Sequence, residues 1–351
     1  MTTGIQPQFG RPGIGTAQLA QRRNVSRNGA LDYYPAGGVI KGSKARDPGN
    51  TAYSTRSLRA GLLMGKITSG GYWANSVLGL SQGALAVGAT TITVPVATAV
   101  EIVRRIGTSG TFKLTGPPTA AGVVKTATVT FSAVDTTTGI ITITALGTNQ
   151  VDQINFNAAS TAGNLQLRIQ KPDGTFATTG NAAWNATDAT YLANINTALD
   201  TASGVVGGIV ASAIPATDTD LGIRLTYSGT GYAGLAWVPA TVAVFPTSST
   251  IATYANVTPP VDGRFVTLSL VQPTDGSETI RSVIGDGYGY VIPTDDSDIN
   301  FPLIPCAGTL DVGTATDRGV IDWPSDASLK TYVEQQLSTL GGGKWIFSDQ
   351  F

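Results

Sequence analysis

The chain of 351 residues contains no histidine, and its reactive side chains are few: Cys306, three glutamates (Glu101, Glu278, Glu334), and aspartates that fall mostly in Pro/Gly turn contexts. Histidine supplies the usual base near neutrality, a common zinc ligand and the partner of nucleophilic Ser or Cys, so its absence argues against most enzyme classes. A lone cysteine forms no internal disulfide and no CxxC site, and reads as a small buried apolar residue. Glycoside hydrolysis needs only two carboxylates across a groove, which keeps a depolymerase as the enzymatic alternative. Turn chemistry accounts for the aspartates without it. Asp295, Asp296 and Asp298 offer hard oxygen ligands on one loop, yet the glycine and distal glutamate of a calcium loop are missing. They read as a solvated acidic loop, or as a patch that meets basic residues of a neighbour. GDGYGY (285–290) satisfies neither GxGxxG nor a P-loop and reads as a hairpin turn. The expectation is no catalytic residue, no metal and no cofactor.

Charge is distributed unevenly. Residues 1–60 carry nine basic side chains (Arg11, Arg22, Arg23, Arg27, Lys41, Lys44, Arg46, Arg56, Arg59) against Asp32 and Asp47, while the whole chain has net charge -1. A basic arm therefore precedes an acidic body. Phosphate contacts need only positive charge and reach, but these charges are spread by Gly and Pro, and the body would repel a polyanion. A protein surface of opposite sign is the better match. The opening MTTGIQPQFGRPGIG has no apolar signal region and no stretch reaches the length of a membrane span, so synthesis and retention in a cytoplasm are expected. The sequons at Asn24, Asn185 and Asn256 then carry no weight.

The elements that must position these residues read as mainly β. Residues 1–56 lack periodicity and form an extended arm that orders by lying on something else, with Phe9, Ile14, Leu31, Tyr33, Tyr34, Val39 and Ile40 as anchors. From 57, SLRAGLLMGKI and GGYWANSVLG form a hairpin about Ser69-Gly70-Gly71. Further strands follow at 84–96, 110–116, 123–134 and 139–146, the last two alternating Thr with Val, Ile or Phe. Residues 97–107 break the pattern, with Val100, Val103 and Ile106 at helical spacing. Residues 151–258 read as an inserted module of strands and one helix, with Thr187 or Asp188 capping, Leu192, Ile195 and Leu199 on the apolar face and Gly204 as terminator. Residues 57–150 plus 259–351 form a β-barrel or sandwich core that ends in a helix at about 325–340. Its stripe is Leu329, Val333, Leu337 and Leu340. Beyond a triple glycine, Trp345, Ile346, Phe347 and Phe351 form an apolar tail that needs a partner surface.

Several stretches resemble head decoration (cement) proteins of tailed bacteriophages. LRAGLLMGKITSGGYWANSVLG (58–79) is similar to their opening, EIVRRIGTSGTFKLTGPPTAAGVVKTATVTFSAVDTTTGIITITAL (101–146) to the β-segment that follows in larger members, and FPLIPCAGTLD (301–311) to the strand that closes their barrel. INFNAASTAGNLQLRIQKPDG, AWNATDATYLANINTAL and RLTYSGTGYAG resemble an accessory β-domain of phage structural proteins, a small sandwich with one helix. The resemblance implies a non-enzymatic virion protein on the outer capsid surface. Its partner would be the major capsid protein, and it would form a homo-oligomer, a trimer by analogy with a dimer as the alternative, without nucleic acid or membrane. The expected docking residues are Arg11, Arg22, Arg23, Arg27, Tyr33, Tyr34, Lys41, Lys44, Arg46 and Arg56, and the expected self-association residues are Trp345, Phe347 and Phe351. The other binding class is a head-fibre or tail adhesin that holds host glycans on Trp184, Tyr232 and Trp237.

Overall fold

A computed structural model describes residues 26–34, 38–50, 54–118, 123–215, 219–265, 267–285, 289–300, 302, 304–311, 327–340 and 345–348. Strand outweighs helix, 40% against 15%, and one sheet curls into half a barrel. The chain divides into two compact units: unit 1 takes 1–83, 91–144 and 265–351, and unit 2 takes 84–90 and 145–264. The inserted module is thus a few residues wider at each end than the pattern suggests, and it includes the turn before the strand Ala89–Thr93.

In unit 1 the hairpin forms as expected. Leu63–Lys66 pairs antiparallel with Trp73–Asn75, and Gly70 and Gly71 both hold positive φ (82° and 67°) in the turn. Only glycine adopts two such residues in succession without steric cost. This hairpin sits within a sheet ordered Ile280–Val283, Leu63–Lys66, Trp73–Asn75, Val39–Ile40, Ile299–Asn300. Ile40 is fully buried beside Met64, Trp73 and Ile304. Residues 38–50 therefore belong to the body, which corrects the reading of 1–56 as one extended arm. A buried Ile between two hydrogen-bonded neighbours contributes about 1.5–3 kcal/mol through apolar burial, one of several terms that offset the chain entropy lost when the segment is ordered.

A meander of Gly110–Pro118, Val124–Val134 and Ile140–Leu146 continues the unit, with Phe112, Leu114, Val129, Phe131, Ile141 and Ile143 on its buried face. Helix α1 (Val96–Arg105) departs from its expected orientation: Thr98, Ala99, Glu101, Ile102 and Arg105 are buried, whereas Val100 is exposed and Val103 and Ile106 are only half-buried. Helix α3 (Ala327–Leu340), the last helix in chain order among the described residues, buries Leu329, Val333 and Leu337, with Tyr332 beside them, against Ala60, Leu63, Leu270, Ile280 and Val283. A third sheet places Pro305–Asp311 between Ser26–Tyr33, which runs antiparallel to it, and Trp345–Ser348, which runs parallel.

Unit 2 is a small sandwich. One sheet runs Ile209–Ala213, Gly222–Tyr227, Val151–Phe156, Ala252–Thr258; the other centres on Asn164–Gln170, flanked by Phe176–Thr178, Ala182–Ala183 and Thr241–Val244. Helix α2 (Asp188–Ser203) covers it with Tyr191, Ile195, Ala198 and Leu199 inward. Leu192 is half-buried rather than central, and Tyr191 takes its place. Thr187 stands at the N-cap without a side-chain cap bond, and Gly204 at φ 72° ends the helix in the left-handed conformation.

Candidate functional site

The basic residues expected to dock elsewhere are, from Lys41 onward, fastened to their own chain. The Lys41 ammonium lies 3.0 Å from the Asp298 carboxylate and 4.6 Å from the Tyr72 ring centre. The Gly42 amide donates to the other oxygen of Asp298 at 3.0 Å. Arg46, only 2% exposed, donates to Asp296 at 2.7 Å and to the carbonyls of Gly42 and Ala45. Arg56 reaches Asp296 and the Pro293 carbonyl. Arg59 grips the buried Asp47 through two nitrogens. The acidic loop thus has cations of its own chain beside it: Asp296 and Asp298 serve ion pairs within unit 1. Asp296 adopts a left-handed φ of 59° to do so, a conformation that Asp tolerates better than most residues.

A second cluster secures the loop 41–47 from the other side, built by the inner face of α1. Arg105 is only 4% exposed, and it donates to the carbonyls of Lys44 and Asn75, to Asn75 Oδ1, to Asp275 and to the Ser277 hydroxyl at 2.6 Å. Arg104 pairs with Glu101 at 2.6 Å and donates to the carbonyls of Ser43 and Lys44. Lys44 returns the contact by donating to the Arg105 carbonyl at 3.1 Å, at the negative end of the helix. Burial pulls the Arg105 and Arg46 pKa values down, and the positive charge of Arg104 adds to that effect on both. An arginine starts so high that both stay charged. Burial pushes the Asp275 carboxyl up, but Arg105 and the Ser277 hydroxyl and amide outweigh it and leave it below the ordinary carboxylate value. Asp296 is likewise held low, by hydrogen bonds from Arg46 and then Arg56. Apolar spacing misses this cluster, because it assigns the inner face to Val100, Val103 and Ile106, whereas Glu101 and Arg105 are the side chains that build it.

The remaining expected residues fall as follows. Arg11, Arg22, Arg23 and Phe351 lie outside the described residues. Arg27 belongs to the strand Ser26–Tyr33. Tyr33 is half-buried, and Tyr34 is exposed with its ring 5.7 Å from that of Trp73. Lys44, Arg46 and Arg56 are structural contacts of unit 1, and for Arg46 burial rules out the docking role expected of it. Trp345 and Phe347 lie in a strand hydrogen-bonded to Pro305–Asp311 of the same chain, so the backbone of this tail already has a partner. Cys306 is half-buried and unbridged.

The aromatic set expected to hold glycans is largely internal. Tyr232 is fully buried with its hydroxyl donating to the Gln170 carbonyl, its ring 4.7 Å from that of Trp237. The Trp237 indole donates to the Tyr232 carbonyl and the Trp184 indole to Asp220, both rings packing on the unit 2 core. Tyr232 is part of the unit 2 core, and Trp184 and Trp237 pack against it while remaining half-buried. The carboxylates considered for hydrolysis are also engaged: Glu101 by Arg104, Glu278 by the Gly276 amide, and Glu334 by Lys330 at 4.0 Å. Asp135, Asp173, Asp262, Asp275 and Asp295 each accept the amide two positions on, the geometry of Asx turns. Among the described residues no group of three or more acidic or cysteine side chains could hold a metal, and no helix is long and apolar enough to cross a membrane. No family model, curated protein or solved structure matches the chain.

Proposed function

We propose that the chain is a capsid decoration protein of a tailed phage, acting by binding the major capsid protein through the basic segment that precedes Ser26. The observation that supports this reading is the fixed root of that segment. Ser26–Tyr33 is hydrogen-bonded to Pro305–Asp311, and the loop 41–47 is held by Asp298, Asp296, Arg104 and Arg105. A segment carrying Arg11, Arg22 and Arg23 thus continues from a firmly held strand. Such an arrangement suits a clamp: the body stays folded while the basic segment reaches an acidic neighbour. Binding only the assembled lattice stabilises that lattice over free subunits. Virion location and homo-oligomerisation belong to the same proposal.

Co-sedimentation with expanded, undecorated capsids tests it, comparing the full chain with one that begins at Ser26. We expect saturable binding by the full chain, weakened at least tenfold by the deletion and by salt above the screening range, about 0.15 M. Absence of binding by the full chain at low salt would overturn the reading.

A further inference from the structure

Among the described residues, the strands Thr241–Val244 and Ala252–Thr258 of unit 2 each pair on one side alone, the first with Asn164–Gln170 and the second with Val151–Phe156. One hydrogen bond sets them side by side: the Val242 amide donates to the Tyr254 hydroxyl at 3.0 Å. The Asn157 amide donates to the Ile251 carbonyl, which fixes the alternation along the ladder. Positions 253 and 255 then turn their main-chain groups to Val151–Phe156, while Ala252, Tyr254 and Asn256 turn theirs to the open side.

Natural edge strands are ordinarily protected by lysine, proline, a bulge or a covering element. Neither of these strands contains Lys or Pro, and the register shift in Ala252–Thr258 falls near Val257, leaving 252–256 regular. From Leu225 to Val261 the chain carries no charged residue at all. Along this edge Val244, Ile251, Tyr254 and Val257 are exposed, Ile251 to 60%. The two strands bear no charge of their own and so do not repel their own copy along this edge; Arg168, exposed on the neighbouring strand opposite Thr241, stands across the ladder from it. Its register is also self-complementary. About a two-fold axis at Tyr254, Ala252 faces Asn256 of the other copy and Tyr254 faces its equivalent, so all three outward positions satisfy one another reciprocally. The exposed rings and aliphatic side chains then cover each other across the junction.

We propose that this edge pairs antiparallel with the same edge of a second copy of the chain, in register about Tyr254, joining two sandwiches through one continuous sheet. The pairing does not require the capsid, and it would supply one route to the homo-oligomer of that reading. Sedimentation velocity on the full chain tests it, comparing the unaltered protein with the double variant T253K/V257K, whose two sites are exposed. The expected result is association at micromolar concentration that the variant weakens at least tenfold. A single-chain mass of 36.0 kDa for the unaltered protein at about 100 µM would overturn the proposal, as would unchanged association of the variant. Amide exchange followed by NMR on the unaltered chain gives a readout free of any folding defect in the variant. The amides of Ala252, Tyr254 and Asn256 should slow as concentration rises, and concentration-independent exchange at Tyr254 would overturn the pairing.

Discussion

Arg105 and Asp275 carry the most consequential electrostatics of any described pair. Burying a guanidinium costs several kcal/mol unless its donors are met, and here Asn75, Asp275, Ser277 and the Lys44 carbonyl meet the two terminal nitrogens, while the buried Nε has no hydrogen-bond partner. The low Asp275 pKa has a thermodynamic consequence. A carboxylate whose folded pKa lies below its unfolded value, about 3.9, adds stability that is present above the unfolded value and is lost as pH falls through the folded one. Asp296 acts in the same sense. We expect the melting temperature to be nearly level from pH 7 to pH 5 and to fall below about pH 4. Asp275→Asn should melt lower at pH 7 and show a shallower acid slope, measured by thermal melts monitored by circular dichroism across that range. A slope identical to that of the unaltered chain would remove Asp275 from the account.

Among the elements, the hairpin Leu63–Lys66 with Trp73–Asn75 shows what a strand must leave out. At Gly65 an added Cβ would stand 2.0 Å from the Ser277 carbonyl oxygen and 2.6 Å from that of Thr279. Main chain passes there, so the neighbour cannot yield as a flexible side chain would. Gly65→Ala should therefore destabilise by about 3 kcal/mol or more, read as a shift in the urea midpoint. Gly180→Ala, where nothing lies within 4 Å and φ is unstrained, is the control and should leave the midpoint unchanged. The hairpin itself was legible in the sequence, because paired glycines between two apolar runs have few other uses. The same holds for Leu329, Val333 and Leu337 on α3 and for Gly204 after α2. The inward face of α1 was not legible, because apolar spacing alone assigns Val100, Val103 and Ile106 to the core. What decides its orientation is where the loop 41–47 leaves carbonyls in need of donors, and that is known only once residues sixty positions apart have met. The basic–acidic pairing was half legible: both charge groups stood out, but their sequence separation suggested partners on different molecules.

For the whole molecule, the described body begins at Ser26, well before Ser57. Residues 38–50 supply a central strand, a buried Ile40 and the ion pairs of Lys41 and Arg46. A chain beginning at Ser26 should melt within about 2 °C of the full chain, whereas one beginning at Ser57 should lose its cooperative transition, as calorimetry would register. Only the shorter deletion can therefore assign a binding defect to the segment rather than to a collapsed body. The sheet Ser26–Tyr33, Pro305–Asp311, Trp345–Ser348 has a further consequence, one of timing. Its first pairing joins Ser26 to Leu310, about 280 positions later in the chain. At a synthesis rate of about 5–20 residues per second, the first strand waits some tens of seconds on the ribosome before its mate exists. Through that interval its main-chain groups are open to any other nascent copy, so the rate of translation, as much as the sequence, sets how often chains of this protein close on themselves.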